Sequence, residues 1–253
     1  MRHRILALGL VVFALASLAT AGSMVTYPSG SETVSAYLAV PEGSGKKPAL
    51  VVIHEWWGLN DWIKSKADAF AKQGYVALAV DLYRGKVATD PDTAHQLMRG
   101  VPDDRAIRDM KAAVAYLKSR PEVDGSKMAS IGWCWGGGMS LDLAVAEPTL
   151  SGAVIYYGHL MTDPQTIAAL KVPLLGNFGA DDQGIPPETV REFEAAAKKA
   201  GKSVDFKIYP GAGHGFASGK NPKDPQAAMD ADARTDAFLK KVLSRPAEAS
   251  PRQ

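Results

Sequence analysis

Short runs of apolar residues, too brief for helices, recur along this chain and constrain its fold more than any other feature. Ala49–Ile53 and Val76–Val80 contain no polar residue, the pattern of a strand covered on both faces. Met128–Gly132, Ala153–Tyr156, Leu174–Phe178 and Val204–Tyr209 read as further strands. Segments of helical period separate them. Asp61–Gln73 carries Trp62, Ile63, Ala67 and Phe70 and stops at Gly74, a residue suited to a helix C-terminus. Asp104–Leu117 places Ile107, Met110, Ala113, Val114 and Leu117 on one face. Pro187–Ala200 and Pro225–Leu243 are also helical in pattern. Thr33–Val40 differs, alternating with period two so that Val34, Ala36, Leu38 and Val40 share a face; it is expected to be an antiparallel edge strand. Strands joined through helices require crossover connections, so the expected class is α/β, a mostly parallel central sheet flanked by helices on both faces. The carboxyl ends of its strands then lie along one edge, where such sheets bind ligands.

A core of that kind needs apolar mass, and the chain has it. Of 253 residues, 46% are hydrophobic and 22% charged, which suits one globular domain and excludes intrinsic disorder. Basic (29) and acidic (27) residues nearly balance, so nothing in the charge points to nucleic acid. The single cysteine, Cys134, cannot form an intramolecular disulfide. The amino-terminal residues stand apart from the fold. Arg2 and Arg4 precede an uncharged apolar run from Ile5 to Leu18, and Ala19-Thr20-Ala21 follows, as in an export signal with its small-x-small cleavage site. The run is shorter than the ~20 residues that span a bilayer. Residues 1–21 are therefore expected to be a signal peptide, cleaved after Ala21, leaving one domain over 22–253 with a frayed tail at 245–253. The expected location is periplasmic or secreted, with no membrane contact after cleavage. Cleavage removes two arginines and no acid, taking the formal net charge from +2 to zero.

The chemically suggestive residues fall just after strands. Gly132-Trp133-Cys134-Trp135-Gly136-Gly137 lies between a strand and a helix and matches the nucleophile-elbow pattern G-x-S-x-G with sulfur in place of hydroxyl. The glycines allow strand and helix to approach closely. The central residue projects at a helix N-terminus, where the dipole favours a thiolate. A buried cysteine acting as a small hydrophobe is the plainer alternative. Of the five histidines, His3 leaves with the signal, His95 sits among polar residues, and His159 is a weaker candidate after a strand. His214, in Gly213-His214-Gly215-Phe216 between the last strand and last helix, stands where such folds keep their catalytic base. The acid is expected between Cys134 and His214, in Gly179-Ala180-Asp181-Asp182-Gln183-Gly184-Ile185-Pro186. Spacing to Ile185-Pro186 favours Asp182, with Asp181 as the competing turn or cap residue. Ile53-His54-Glu55-Trp56-Trp57-Gly58 follows another strand, the place from which a second oxyanion donor comes. Glu55, between Ile53 and two tryptophans, is costly to bury unless paired.

Together, His54-Glu55-Trp56-Trp57-Gly58, Asp81-Leu82-Tyr83-Arg84, Gly132-Trp133-Cys134-Trp135-Gly136-Gly137 and Gly213-His214-Gly215-Phe216 resemble the dienelactone hydrolase (carboxymethylenebutenolidase) family of α/β-hydrolases. The resemblance covers the whole chain after the signal. It implies an α/β-hydrolase fold, a Cys134–His214–Asp182 triad, and a Glu55 that helps ionise Cys134. It further implies an oxyanion hole made by the backbone N–H groups of Trp56 and Trp135. Arg84 is a near match to a carboxylate-binding arginine of the family, and Trp57 and Phe216 are expected with it on the substrate side. Two positions depart from the pattern. The resembled enzymes carry an arginine four residues beyond the histidine, paired with the glutamate and helping to hold a substrate carboxylate; Ser218 stands there in this chain, with Lys220 nearby. Arg84 directly follows Tyr83, where the family's type member has one residue more.

The expected activity is hydrolysis of a small-molecule ester or lactone through a cysteine nucleophile. Trp56, Trp57, Trp62 and Trp135 would wall the pocket, although some of these rings are expected to pack in the core. No metal or organic cofactor is expected, since no metalloprotease histidine spacing and no dinucleotide glycine pattern follows the first strand. The competing expectation is a non-catalytic exported protein that binds small molecules on the same fold. The sequence leaves the oligomeric state open, a monomer being the simpler expectation.

Overall fold

A computed structural model describes residues 21–219 and 223–244. Residues 1–20 of the expected signal and the expected tail at 245–253 lie outside the described residues. Strands β1 (Ser23–Ser29), β2 (Glu32–Ala39), β3 (Lys47–Ile53), β4 (Val76–Val80), β5 (Val123–Trp133), β6 (Gly152–Tyr156), β7 (Leu174–Gly179) and β8 (Val204–Tyr209) form one sheet in the order β1-β2-β4-β3-β5-β6-β7-β8. β3 to β8 are parallel, while β2 runs antiparallel to both β1 and β4. The apolar runs behave as their composition requires. Leu50 and Val52 lie on the sheet face covered by helices α1 (Asp61–Lys72) and α7 (Pro225–Leu243). Ala49, Val51 and Ile53 lie on the other face, covered by α3 (Asp103–Ser119), α4 (Trp135–Ala146) and α6 (Pro187–Lys199). α4 is apolar on nearly every side, and residues Gly136 to Leu141 are all buried, as expected of a helix enclosed by its neighbours.

Two expectations about the amino-terminal part need correcting. Thr33–Val40 is antiparallel as read, but β2 is not the edge: β1 covers it through a two-residue turn at Gly30-Ser31, and Val40 lies outside the strand and exposed. β1 itself escaped notice because Tyr27 is its only large fully buried side chain and Pro28 interrupts the pattern; proline is tolerated there because the strand is an edge. Two short helices have too little apolar pattern to show in the sequence, α2 (Pro91–Arg99), which buries only Ala94, and α5 (Pro164–Ala169), which buries only Ile167. Among the described residues no helix is long and apolar enough to cross a membrane.

Candidate active site

Five parallel strands, β3, β5, β6, β7 and β8, lead into loops that meet at one spot on the carboxyl edge. β5 ends at Trp133 and the chain turns at once into α4, with Cys134 as the N-terminal cap at φ 54° and ψ −123°. That left-handed backbone is rare for a residue with a side chain. It is held by Cys134 N–H donating to Tyr156 O at 3.0 Å and by Gly137 N–H donating to Cys134 O at 2.9 Å. A Cβ on Gly132 would collide with the Gly136 backbone, and one on Gly136 with the Ile53 and His54 backbone. The flanking glycines are therefore a steric requirement of the turn.

The loop after β8 brings His214 to this cysteine, with Nε2 3.1 Å from Cys134 Sγ. The other ring nitrogen, Nδ1, lies 2.8 Å from Asp182 Oδ2. Of the two adjacent carboxylates, Asp182 is the one that meets the imidazole; Asp181 is exposed, and its N–H donates to Ala212 O at 2.9 Å. Asp182 Oδ1 accepts from the N–H groups of Gly184 (2.8 Å) and Ile185 (2.9 Å), which gives the Asp182-to-Ile185 spacing its physical cause. Burial opposes ionisation of Asp182, but the His214 hydrogen bond and then these N–H donors outweigh it and hold the carboxyl below its usual range. The same bond from Asp182, followed by that to Cys134, pushes the His214 pKa up to about 10.

Glu55 follows β3 and is buried at 5% exposure. Its Oε1 accepts from Ser218 Oγ, which in turn lies 3.0 Å from Tyr157 OH. Burial pushes its carboxyl up, and the Ser218 hydrogen bond only partly offsets this. Ser218 thus occupies the place of the family arginine with a neutral hydroxyl. Lys220 lies outside the described residues. Trp56 begins the turn after Glu55, and Trp135 is the first residue of α4, so its N–H has no acceptor within the helix.

These residues open into a cavity of about 660 Å³ lined by Glu55, Trp56, Trp57, Met98, Cys134, Trp135, Tyr157, His159, Ile185, His214, Ser218 and Lys223, among others. A smaller recess of about 290 Å³ lies across Glu55, Trp57 and Ser218 and takes Trp62 as a wall. Trp62 also stacks edge-on against the buried Trp133. Sequence reasoning missed Tyr157 and Met98. Tyr157 has φ 37° and lies fully buried directly after β6; the Tyr157-Gly158 step at a strand end was the available signal. Met98 comes from the unread α2. Among the described residues, no three His, Cys, Asp or Glu side chains are grouped to hold a metal ion.

Two expected substrate-side residues do not line the cavity. Arg84 has φ 55°, in a turn where Asp81 accepts from Tyr83 N–H at 3.0 Å and from Gly85 N–H. This directs its guanidinium to the seam between α3 and the β1–β2 hairpin, where Nη2 bonds Asp109 Oδ2 at 2.7 Å and Glu32 Oε2 at 3.0 Å. Arg84 is thus the counterion of a fully buried aspartate. Phe216 is fully buried, with its ring against Tyr157 and Tyr209. It supports the His214 loop from the core side.

A cysteine at a strand-to-helix elbow, with acid and histidine on later strand ends, places the chain among the α/β-hydrolases. Within them it belongs to the dienelactone hydrolase family, whose model matches residues 34–243, and it is a carboxylic ester hydrolase for ester or lactone bonds. A relative from Methylorubrum extorquens, provisionally named a carboxymethylenebutenolidase, is 35% identical over 212 residues, covering 78% of this chain and 73% of its own. The protein usf of Aquifex pyrophilus is 34% identical over 232 residues, 88% of this chain and all of the relative. Among solved structures, one from Klebsiella pneumoniae, provisionally assigned as a dienelactone hydrolase, superimposes with TM-score 0.81 at 28% identity, covering 87% of this chain and 98% of its own. A dienelactone hydrolase-like promiscuous phosphotriesterase from metagenomic libraries gives 0.80 at 26% identity, covering 88% and 98%.

Proposed function

We propose that this protein hydrolyses a small-molecule ester or lactone through Cys134 as nucleophile, His214 as acid and base, and Asp182 as the group that orients the imidazole. The observation that carries this is the continuous contact from Asp182 to His214 (2.8 Å) and from His214 to Cys134 (3.1 Å). With its pKa pushed up to about 10, His214 holds the proton in this scheme, and Cys134 reacts as the thiolate. The thiolate attacks the carbonyl carbon, and the oxyanion is held by the N–H groups of Trp56 and Trp135. Collapse breaks the C–O bond, and His214 gives its proton to the departing alkoxide. The neutral imidazole then takes a proton from water, whose oxygen attacks the thioester. The acid leaves, and the thiolate and imidazolium are restored. Glu55, on the same cavity wall as Cys134, assists ionisation of the thiol in this scheme as a second proton acceptor and not as a fixed charge.

Replacement Cys134→Ala is expected to abolish hydrolysis of an activated ester while leaving the fold intact by circular dichroism; activity surviving in that variant sinks the nucleophile assignment. Export is part of the same proposal. Its support is the signal-like pattern of residues 1–21 and a fold whose first strand starts at Ser23, with Gly22 N–H bonded to Asp68 Oδ1 at 3.0 Å. Amino-terminal sequencing of the native protein should begin at Gly22.

A further inference from the structure

We infer that the site selects uncharged esters with an apolar acyl chain and turns away substrates bearing a second, free carboxylate. This rests on the proposed ester hydrolysis and concerns what the cavity admits. Trp56, Trp57, Met98, Trp135, Tyr157 and Ile185 give the 660 Å³ cavity a predominantly apolar wall. A carboxylate placed there loses its hydration and needs a cation or several donors in return. The structure commits those groups elsewhere. Arg84 holds Asp109, which is fully buried, at 2.7 Å. Withdrawing it would leave the buried Asp109 with only the Ser29 hydroxyl at 2.6 Å and Arg108 at 3.5 Å, giving up a short buried pair for one to a substrate carboxylate. Ser218 donates to Glu55 and contacts Tyr157 at 3.0 Å, so its hydroxyl is already in use. His214 is engaged by Asp182 and Cys134.

Among the described residues, Glu55, Lys223 and the exposed His159 remain on the cavity wall, and they do not build an anion site, since a contact made at the solvated His159 adds little. Glu55 lies on the wall itself, and a carboxylate beside it meets a like charge in a low-dielectric setting. Lys223 is exposed at the rim and donates to His214 O at 3.3 Å; a pair made in that solvated position adds little. Shape and charge therefore act together. The wall accepts methylene and ring surface, and the buried carboxylate repels anions.

The test uses two esters of equal chain length, p-nitrophenyl hexanoate and mono-p-nitrophenyl adipate. A kcat/KM at least tenfold higher for the hexanoate is expected; parity or reversal overturns the inference. Ser218→Arg should bring the ratio towards parity by placing a cation beside Glu55. The double variant Lys220→Ala with Lys223→Ala should keep the ratio within about twofold, and loss of adipate turnover alone in it overturns the inference. A binding arm separates substrate class from catalysis: hexanamide and adipamate are titrated into the Cys134→Ala protein and followed by tryptophan fluorescence. Selective binding of hexanamide upholds the substrate class even if neither ester turns over, a result that would count against the proposed hydrolysis instead. Equal binding, preference for adipamate, or no binding of the amide overturns it.

Discussion

His54 and His214 each stand on a loop just past the carboxyl end of a parallel strand, yet their surroundings drive them in opposite directions. His54 is fully buried, its Nδ1 bonded to Glu55 O at 2.5 Å and its Nε2 accepting from Leu82 N–H at 3.3 Å. Burial pushes its pKa down to about 4. His214, half-exposed, is pushed up to about 10 by Asp182 and Cys134. A ring between a carbonyl and an amide is satisfied as a neutral donor and acceptor, whereas a carboxylate at one nitrogen favours the protonated ring. The first ring pins the Glu55-Trp56 turn to the residue after Asp81, and the second carries the proton. Partners, rather than residue type or position along the sheet edge, divide the two roles.

The sharpest break of this comparison comes from substitution. His214→Gln should lower kcat by about 10³-fold, within the usual worth of a positioned acid–base, with a stability change of about 1 kcal/mol from one hydrogen bond. Arg84→Ala tests the fold's own buried charge. Leaving Asp109 with only Arg108 at 3.5 Å and the Ser29 hydroxyl should cost up to about 3 kcal/mol in urea unfolding, while the folded fraction hydrolyses neutral esters nearly as before. A matching loss of neutral-ester turnover per folded molecule would return Arg84 to the substrate side. His54→Ala should reverse the pattern of His214, costing about 2–3 kcal/mol of stability through a stranded Leu82 N–H and a small cavity. A fully stable His54→Ala protein would show that the ring pins nothing.

Solution pH separates the two rings without mutation. Between pH 6.5 and about 4 the unfolded chain protonates His54 while the folded protein does not, so stability should fall on acidification through that window. For His214 the folded value lies above the unfolded one; its contribution is complete below pH 6.5 and is lost as pH rises through about 10. The alkaline limb of kcat/KM should accordingly lie near pH 10, and a limb near pH 7 would show that no imidazolium is retained. Urea midpoints measured across the same range read the stability side of both rings.

Much of this arrangement was legible because local rules carried it. Val76–Val80, Val204–Tyr209 and Pro225–Leu243 have the bounds that their apolar patterns give them. Cys134, Asp182 and His214 stood out because glycine-rich turns follow strands at each, and the structure brings their side chains together. The residues that misled are those whose partners lie far along the chain. Arg84 is spent on Glu32 and Asp109, 52 and 25 positions away, a commitment that no motif displays. Phe216 reads as a neighbour of His214, yet its backbone turns it into the core. Tyr157 gains its place only through a left-handed φ and a contact with Ser218 61 positions away.

The smallest expected effect concerns that last contact. Ser218 is the one side-chain donor to the Glu55 carboxylate among the described residues, and its hydrogen bond lowers a pKa that burial raises. Ser218→Ala therefore leaves desolvation less opposed and moves the Glu55 pKa further up. A raised folded carboxyl pKa means that the anion is lost at higher pH on acidification. If Glu55 assists thiol ionisation, the acid limb of kcat/KM should move to higher pH in Ser218→Ala, with about 1 kcal/mol or less lost in stability. Glu55→Gln supplies the reference, since it abolishes that titration altogether. An acid limb unmoved by Ser218→Ala and unchanged by Glu55→Gln would show that the buried glutamate shapes the cavity without sharing in the proton chemistry, leaving His214 alone to set the pH dependence of this site.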